Sequence, residues 1–278
     1  MTTFVNNVKT AMLLGLLTAM FLVDGHILGG VNGLIFAGIF VAIMNFGAFF
    51  FSDKIAIAAM RGQEVDEQTA PDLVQMIGRL ARNANLPMPR VYICPQDAPN
   101  AFATGRSPKH AAVAVTRGAL RLLDYEELEG VMAHELAHVK NRDTLTSTIA
   151  ATIAGVISYV GWFFMFGARS RDVHPLVAIL FIILAPIAAA LIQMAISRSR
   201  EFVADADGAR IAGTPHGLAN ALRKLESMAQ RVPMEHEMPA QNHMFIVQPL
   251  NAGQAMTKLF STHPPTADRI AKLESMNL

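Results

Sequence analysis

Residues Val131 to Arg142 read VMAHELAHVKNR: two histidines four apart with a glutamate after the first, set among apolar residues and just ahead of a long uncharged run. With nine histidines in 278 residues, a His-Glu-x-x-His pattern arises by chance about 0.01 times in a chain of this composition, so metal chemistry is the better reading. On an α-helix, residues four apart share a face and sit about 6 Å apart along the axis, which lets the imidazoles of His134 and His138 converge on one cation. Zinc takes neutral imidazole nitrogens, and a catalytic site keeps one position open for water. Glu135 is turned about 100° from His134, so it flanks the cation and can take a proton from that water. The arrangement is hydrolytic.

The stretch sits on a helix for local reasons. Asp124 followed three residues later by Glu127 makes an acidic capping box, which opens the helix that carries His134. An earlier helix is expected from Pro71 to Asn83, where Leu73, Met76, Ile77 and Leu80 follow helical spacing. Between them, Arg90 to Ile93, Asn100 to Thr104 and Ala111 to Val115 read as short extended segments divided by proline and glycine, which predicts a small sheet. A further short helix starts near Thr116.

Composition places this site beside a membrane. The chain is 52% hydrophobic and only 16% charged, against about 25% charged in soluble proteins. The excess lies in four runs: Ala11 to Val23, Gly33 to Phe51, Thr144 to Ala168 and Pro175 to Ile196. The last two exceed the roughly 20 residues a helix needs to cross the hydrocarbon. The first is shortest and, with Lys9 ahead of it, has a cleaved signal peptide as its alternative. The predicted organisation is two transmembrane helices in 1–52, a cytoplasmic part in 53–143, two more transmembrane helices in 144–196 and a second cytoplasmic part in 197–278. Neither cytoplasmic part is long enough alone, so the two are expected to pack together.

If all four runs cross, Lys9, Lys54, Arg61, Lys140, Arg142, Arg198 and Arg200 share one side, against Arg169 and Arg171 on the other. The richer side is cytoplasmic by the positive-inside rule. Arg198 and Arg200 themselves read as side chains snorkelling to the interface more readily than as catalytic groups. A single cysteine, Cys94, excludes an intramolecular disulfide and fits a reducing compartment. A net charge of +1 argues against a nucleic-acid partner.

A site with two histidines commonly takes a third protein ligand, His or Glu. The segment Ser197 to Gly208 reads SRSREFVADADG, directly after the fourth run. Glu201 and Asp205 are four apart on an expected helix. Glu201 is the chosen ligand, and Asp205 accepts the second N–H of a ligand histidine. Two spans between the helices return Glu201 to the side of His134, which agrees with the topology.

Five stretches together resemble the HtpX family of bacterial integral-membrane zinc metalloproteases, relatives of the CAAX prenyl proteases. They are NAFATGR (Asn100 to Arg106), HAAVAVT (His110 to Thr116), LEGVMAHELAHVKNRD (Leu128 to Asp143), SRSREFVAD (Ser197 to Asp205) and THPP (Thr262 to Pro265). The resemblance implies a mainly α fold with a small β-sheet: four transmembrane helices plus a cytoplasmic zincin-type metalloprotease domain. It implies an endopeptidase of the cytoplasmic membrane, active in protein quality control and stress response on misfolded membrane proteins, with one Zn2+ per chain. By its motifs His134, His138 and Glu201 are the ligands and Glu135 the base, and Asn100 and Ala101 match the edge segment that lines up the substrate backbone. His263 matches the late His-Pro motif. There Pro264 and Pro265 stiffen a helix start, and His263 is an oxyanion donor, an inhibitory fourth ligand or simply part of the helix start.

Other readings stand beside these. Asn100 after Pro99 suits a turn for purely local reasons, and Asp205 can be a solvated acid. The proline-rich stretch Arg231 to Gly253, with His236 and His243, reads as a surface loop rather than a second metal site. A transporter would carry ionisable residues inside its spans, but here the His/Glu cluster lies at span ends. A closed structural zinc site has no use for a base such as Glu135.

Overall fold

The first helix, α1 (Thr2–Ala59), is broken at Gly29 and Gly30, whose backbone angles are not helical. Gly30 has φ +57°, a left-handed conformation that costs glycine little. The chain reverses there, because Thr18 meets Asn45 through a 3.0 Å hydrogen bond and the tilted rings of Phe21 and Phe40 pack with centroids 5.6 Å apart. The two arms touch closely near the turn, where a side chain on Gly33 would strike the carbonyl of Gly25. Residues 2–145, 198–229 and 264–278 are described by this computed structural model. Most of the third predicted run and all of the fourth lie outside them, as do His236, His243 and His263.

Two units divide the chain: residues 1–52 with 145–195, and residues 53–144 with 196–278. Among the described residues one helical segment, Gly29–Phe51, is long and apolar enough to cross a membrane. The Ala11 to Val23 run is the other arm of the hairpin.

The second unit is built on a four-stranded mixed sheet in the order β1-β2-β4-β3. β1 (Gln63–Val65), which the sequence did not announce, pairs antiparallel with β2 (Arg90–Cys94). β2 runs parallel to β4 (Ala112–Thr116), and β3 (Ala101–Thr104) closes the other edge antiparallel to β4. Every residue of β4 is buried, as expected of an apolar central strand covered on both faces. Its alternation sorts the core. Val113 and Val115 face α2 (Pro71–Asn83) and α4 (Tyr125–Asn141), whereas Ala112 and Ala114 pack with Tyr92, Cys94 and Phe102 against Ala56, Ile57 and Met60 at the end of α1.

In α2, Leu73, Met76, Ile77 and Leu80 are all buried, as their spacing predicts. Thr116 caps α3 (Arg117–Leu122) by accepting from Ala119 N. The acidic capping box of α4 is formed in both directions, Glu127 N donating to Asp124 Oδ1 and Asp124 N to Glu127 Oε2, each at 3.0 Å. Beyond lie α5 (Arg198–Ala212), α6 (His216–Ala229) and α7 (Thr266–Glu274). Both α5 and α6 pack on α4. Gly130 makes the α6 crossing tight, since a Cβ there would lie 2.3 Å from Leu218 N. The two halves of the second unit, far apart in sequence, therefore form one core.

Cys94 is fully buried in the smaller core, and burial pushes its thiol up to about 11. At pH 8 only about a thousandth of such a thiol is ionised, and the thiolate is the reactive form. Iodoacetamide should therefore leave Cys94 unmodified in the native protein and alkylate it fully in denaturant, as read by intact mass.

Candidate metal centre

α4 presents His134 and His138 from one face, and α5 brings Glu201 against them. The approach depends on Gly208, one turn beyond Asp205: a Cβ there would lie 2.9 Å from both the Cα and the N of His134. His134, Glu201 and Asp205 are each at most 3% exposed. Nε2 of His134 and Nε2 of His138 are 3.2 Å apart. Glu201 Oε2 lies 3.7 Å from the first and Oε1 3.6 Å from the second. A tetrahedral metal with ligands at about 2.1 Å would set its donor atoms about 3.4 Å apart, so the triangle has the right size.

The donor chemistry also fits. His134 Nδ1 lies 2.9 Å from Asp205 Oδ1, and His138 Nδ1 lies 3.2 Å from Asp143 Oδ2. Each carboxylate calls for a hydrogen on Nδ1, which turns the Nε2 lone pairs toward each other and toward Glu201. Such a meeting of acceptors needs a cation. Burial works against a charge on His138, but its hydrogen bond to Asp143 and the carboxylates of Glu201, Asp143 and Glu135 outweigh that and raise its pKa to about 9. When ionised, four buried carboxylates (Glu135, Asp143, Glu201, Asp205) face two buried guanidiniums (Arg200, Arg269). The difference of two negative charges suits a divalent metal.

Glu135 is 6% exposed, and its Oε2 accepts a 2.8 Å hydrogen bond from Ala103 N on β3. Burial pushes this carboxyl above the ordinary range, against the pull of His134 and His138. Ala103 can donate because of strand parity. Asn100 C=O accepts from Thr116 N at 2.9 Å, so Phe102 and Thr104 bond toward β4 while Ala101 and Ala103 turn their main-chain groups to the open edge. Asn100 N donates to Thr116 Oγ1 at 2.8 Å. Of the two expected edge residues, only Ala101 thus points its backbone outward.

Three participants were not predicted. Arg269, 1% exposed, grips Asp205 with both prongs, Nε to Oδ2 at 2.9 Å and Nη2 to Oδ1 at 2.6 Å, and lies 3.6 Å from Glu201 Oε2. Burial alone would raise Asp205, but the Arg269 charge and hydrogen bonds, with help from His134, hold it below the usual carboxylate range. A signal existed: Arg269 shares the buried face of α7 with Leu273, four residues on, and a charge there implies a buried partner. Arg200 corrects an expectation. It is 8% exposed within the second unit, Nη1 4.0 Å from Asp143 Oδ1, and does not snorkel. Asp143 gave no periodic signal. The proline pair after His263 does begin a helix, with Pro265 as the N-cap of α7.

A His-His-Glu triangle beside a second, strand-anchored glutamate defines a metal-dependent hydrolase, and the family comparison agrees. The model of Peptidase family M48 matches residues 67–277, and the chain belongs to that family: it is a metallopeptidase. It is 53% identical over 277 residues to the "Protease HtpX homolog" of Burkholderia multivorans and to that of Burkholderia lata, covering 98% of this chain and 97% of each relative. The resemblance to HtpX proteases thus holds over nearly the full length. Among solved structures, the crystal structure of S. mikatae Ste24p shares the fold with a TM-score of 0.56 at 16% identity, covering 98% of this chain and 66% of that one.

Proposed function

We propose that this metallopeptidase is a zinc endopeptidase of the cytoplasmic membrane that cleaves misfolded membrane proteins on the cytoplasmic side. The convergence of His134, His138 and Glu201 beside Glu135 carries the reading. In it the first three residues hold zinc and Glu135 is the general base. Bound zinc would acidify a water in its open position and polarise the scissile carbonyl. Glu135, with Oε2 fixed by Ala103 N–H, uses its other oxygen to take the proton from the attacking water and return it to the departing amine. Asp205 fixes the ring of His134, with Arg269 behind it. A substrate in extended form pairs with the outward main chain of Ala101, in the edge segment that Asn100 opens.

The membrane part rests on apolar helix surface. In Gly29–Phe51, Phe36, Val31 and Ile43 are 75%, 67% and 66% exposed, which water would penalise and lipid would not. With the other arm of the hairpin, Ala11 to Val23, and the uncharged stretches 144–168 and 175–196, this gives four spans, and the excess of Lys and Arg on one side makes that side cytoplasmic. His263, just ahead of Pro264 and α7, remains a candidate oxyanion donor or inhibitory ligand.

The test is metal content together with casein cleavage and self-digestion by the detergent-purified full chain, with and without a chelator. Glu201→Ala should lose zinc, and Asp205→Ala should weaken it by roughly 10–100-fold, as for partners behind other ligand histidines. About one zinc per chain in Glu201→Ala would show that another residue closes the site.

A further inference from the structure

The histidines are served by different carboxylates, and only one was anticipated. Asp143 is 4% exposed and lies five residues beyond His138, with Oδ2 3.2 Å from Nδ1 of that ring. Five residues along a continuous helix is a rotation of about 140°, which would carry Asp143 to another face. The reach is made possible by Arg142, which ends α4 in a left-handed conformation (φ 58°, ψ 31°). That conformation is unfavourable for a non-glycine residue, and here it turns Asp143 back under the ring. The next residue holds the turn in place, as buried Thr144 Oγ1 donates to Gly105 O at 3.1 Å. Behind Asp143 stands buried Arg200, Nη1 4.0 Å from Oδ1, immediately before ligand Glu201 on α5.

We infer that Asp143 is a positioning residue that, backed by Arg200, fixes His138 so that its Nε2 faces the metal triangle. It is the counterpart of Asp205 behind His134, although Arg200, 4.0 Å from its acid, acts as a nearby counter-charge where Arg269 hydrogen-bonds Asp205 twice. Each ligand histidine thus has a buried carboxylate on Nδ1, and each carboxylate a buried arginine. The two arginines come from different elements, α5 and α7, so α5 must dock on α4, and α7 on α5 and α6, before the ligand set is held. The inference rests on the metal site proposed above.

The experiment measures zinc affinity of the full-length, detergent-purified protein by competition with a chromogenic chelator, and the visible spectrum of the cobalt-substituted form. Asp143→Ala should weaken zinc by roughly 10–100-fold and shift the cobalt bands, at a thermal midpoint close to wild type. Asp143→Asn, which keeps shape and an acceptor oxygen but not the charge, should lie between. Should Asp143→Ala fail to fold, the Asn variant decides alone. Affinities within about threefold of wild type, with unchanged cobalt bands, would overturn the inference provided Glu201→Ala loses metal in the same assay. Retention of metal by Glu201→Ala would instead overturn the site on which the inference stands.

Discussion

Glu135→Gln should bind zinc at wild-type stoichiometry, melt at the wild-type temperature and lose about 10²–10⁴-fold or more in peptide cleavage, the usual worth of a positioned proton transfer. The substitution is nearly isosteric. The glutamine carbonyl can still accept from Ala103 N–H, the contact that Glu135 Oε2 makes at 2.8 Å. What it cannot do is take a proton from water. Burial raises the Glu135 carboxyl above the usual range, so the wild-type group is a stronger base than a surface glutamate, and all of that basicity goes with the amide. Single-turnover cleavage of casein and metal analysis on one preparation separate the possibilities. Wild-type turnover by Glu135→Gln would sink the general-base mechanism, while loss of zinc would move Glu135 among the ligands.

The second large effect is on the fold. Arg269→Met removes a guanidinium that is 1% exposed and bonded twice to Asp205. Methionine fills much of the volume but leaves Asp205 and Glu201 in the interior without that counter-charge. Stranding one partner of a buried pair costs about 3–5 kcal/mol, a large part of the roughly 5–15 kcal/mol that holds a typical protein together. The apparent Tm of the metal-free variant should fall by many degrees, and added zinc should recover part of the loss. Arg269→Lys, with charge but no fork, should be intermediate. The sign with pH follows from Asp205, whose folded pKa is lowered. The wild-type pair contributes fully above the unfolded carboxyl value of about 4 and is lost as pH falls through the lower folded value. The gap between wild type and Arg269→Met should therefore narrow in acid. A variant melting within about 2 °C of wild type at neutral pH would show that Arg269 is not buried against Asp205.

Much of this was legible beforehand because it is local. The capping box of α4, the spacing of α2 and three of the four strands each depend on residues within one or two turns of each other. β1 was missed because three residues with an exposed, polar pattern carry no periodic signal; it forms only because β2 offers an edge. The His-Glu-x-x-His face is likewise a local fact. Glu201 needed one more step, the parity of two apolar runs, and the structure brings it within 3.7 Å of both histidines. Arg200 was misread because an arginine at the end of an apolar run looks like a snorkelling group until a buried acid is found beside it.

The amino-acid sequence by itself determined that this chain carries a metal-ready helix, a second helix with paired acids four apart, and long uncharged stretches. Each is a pattern of period or spacing, and period is set by the backbone geometry of a single helix. The tertiary structure alone decided how the charge on the site is balanced. Arg269 arrives from a helix 64 residues past Asp205, Ala103 from an edge strand 32 residues before Glu135, and Asp143 by one left-handed residue. Burial makes these partners necessary, because an unpaired charge in the interior costs more than the folded state can spare. Which residue meets that need depends on where the packed elements place their side chains, and no spacing along the chain encodes it.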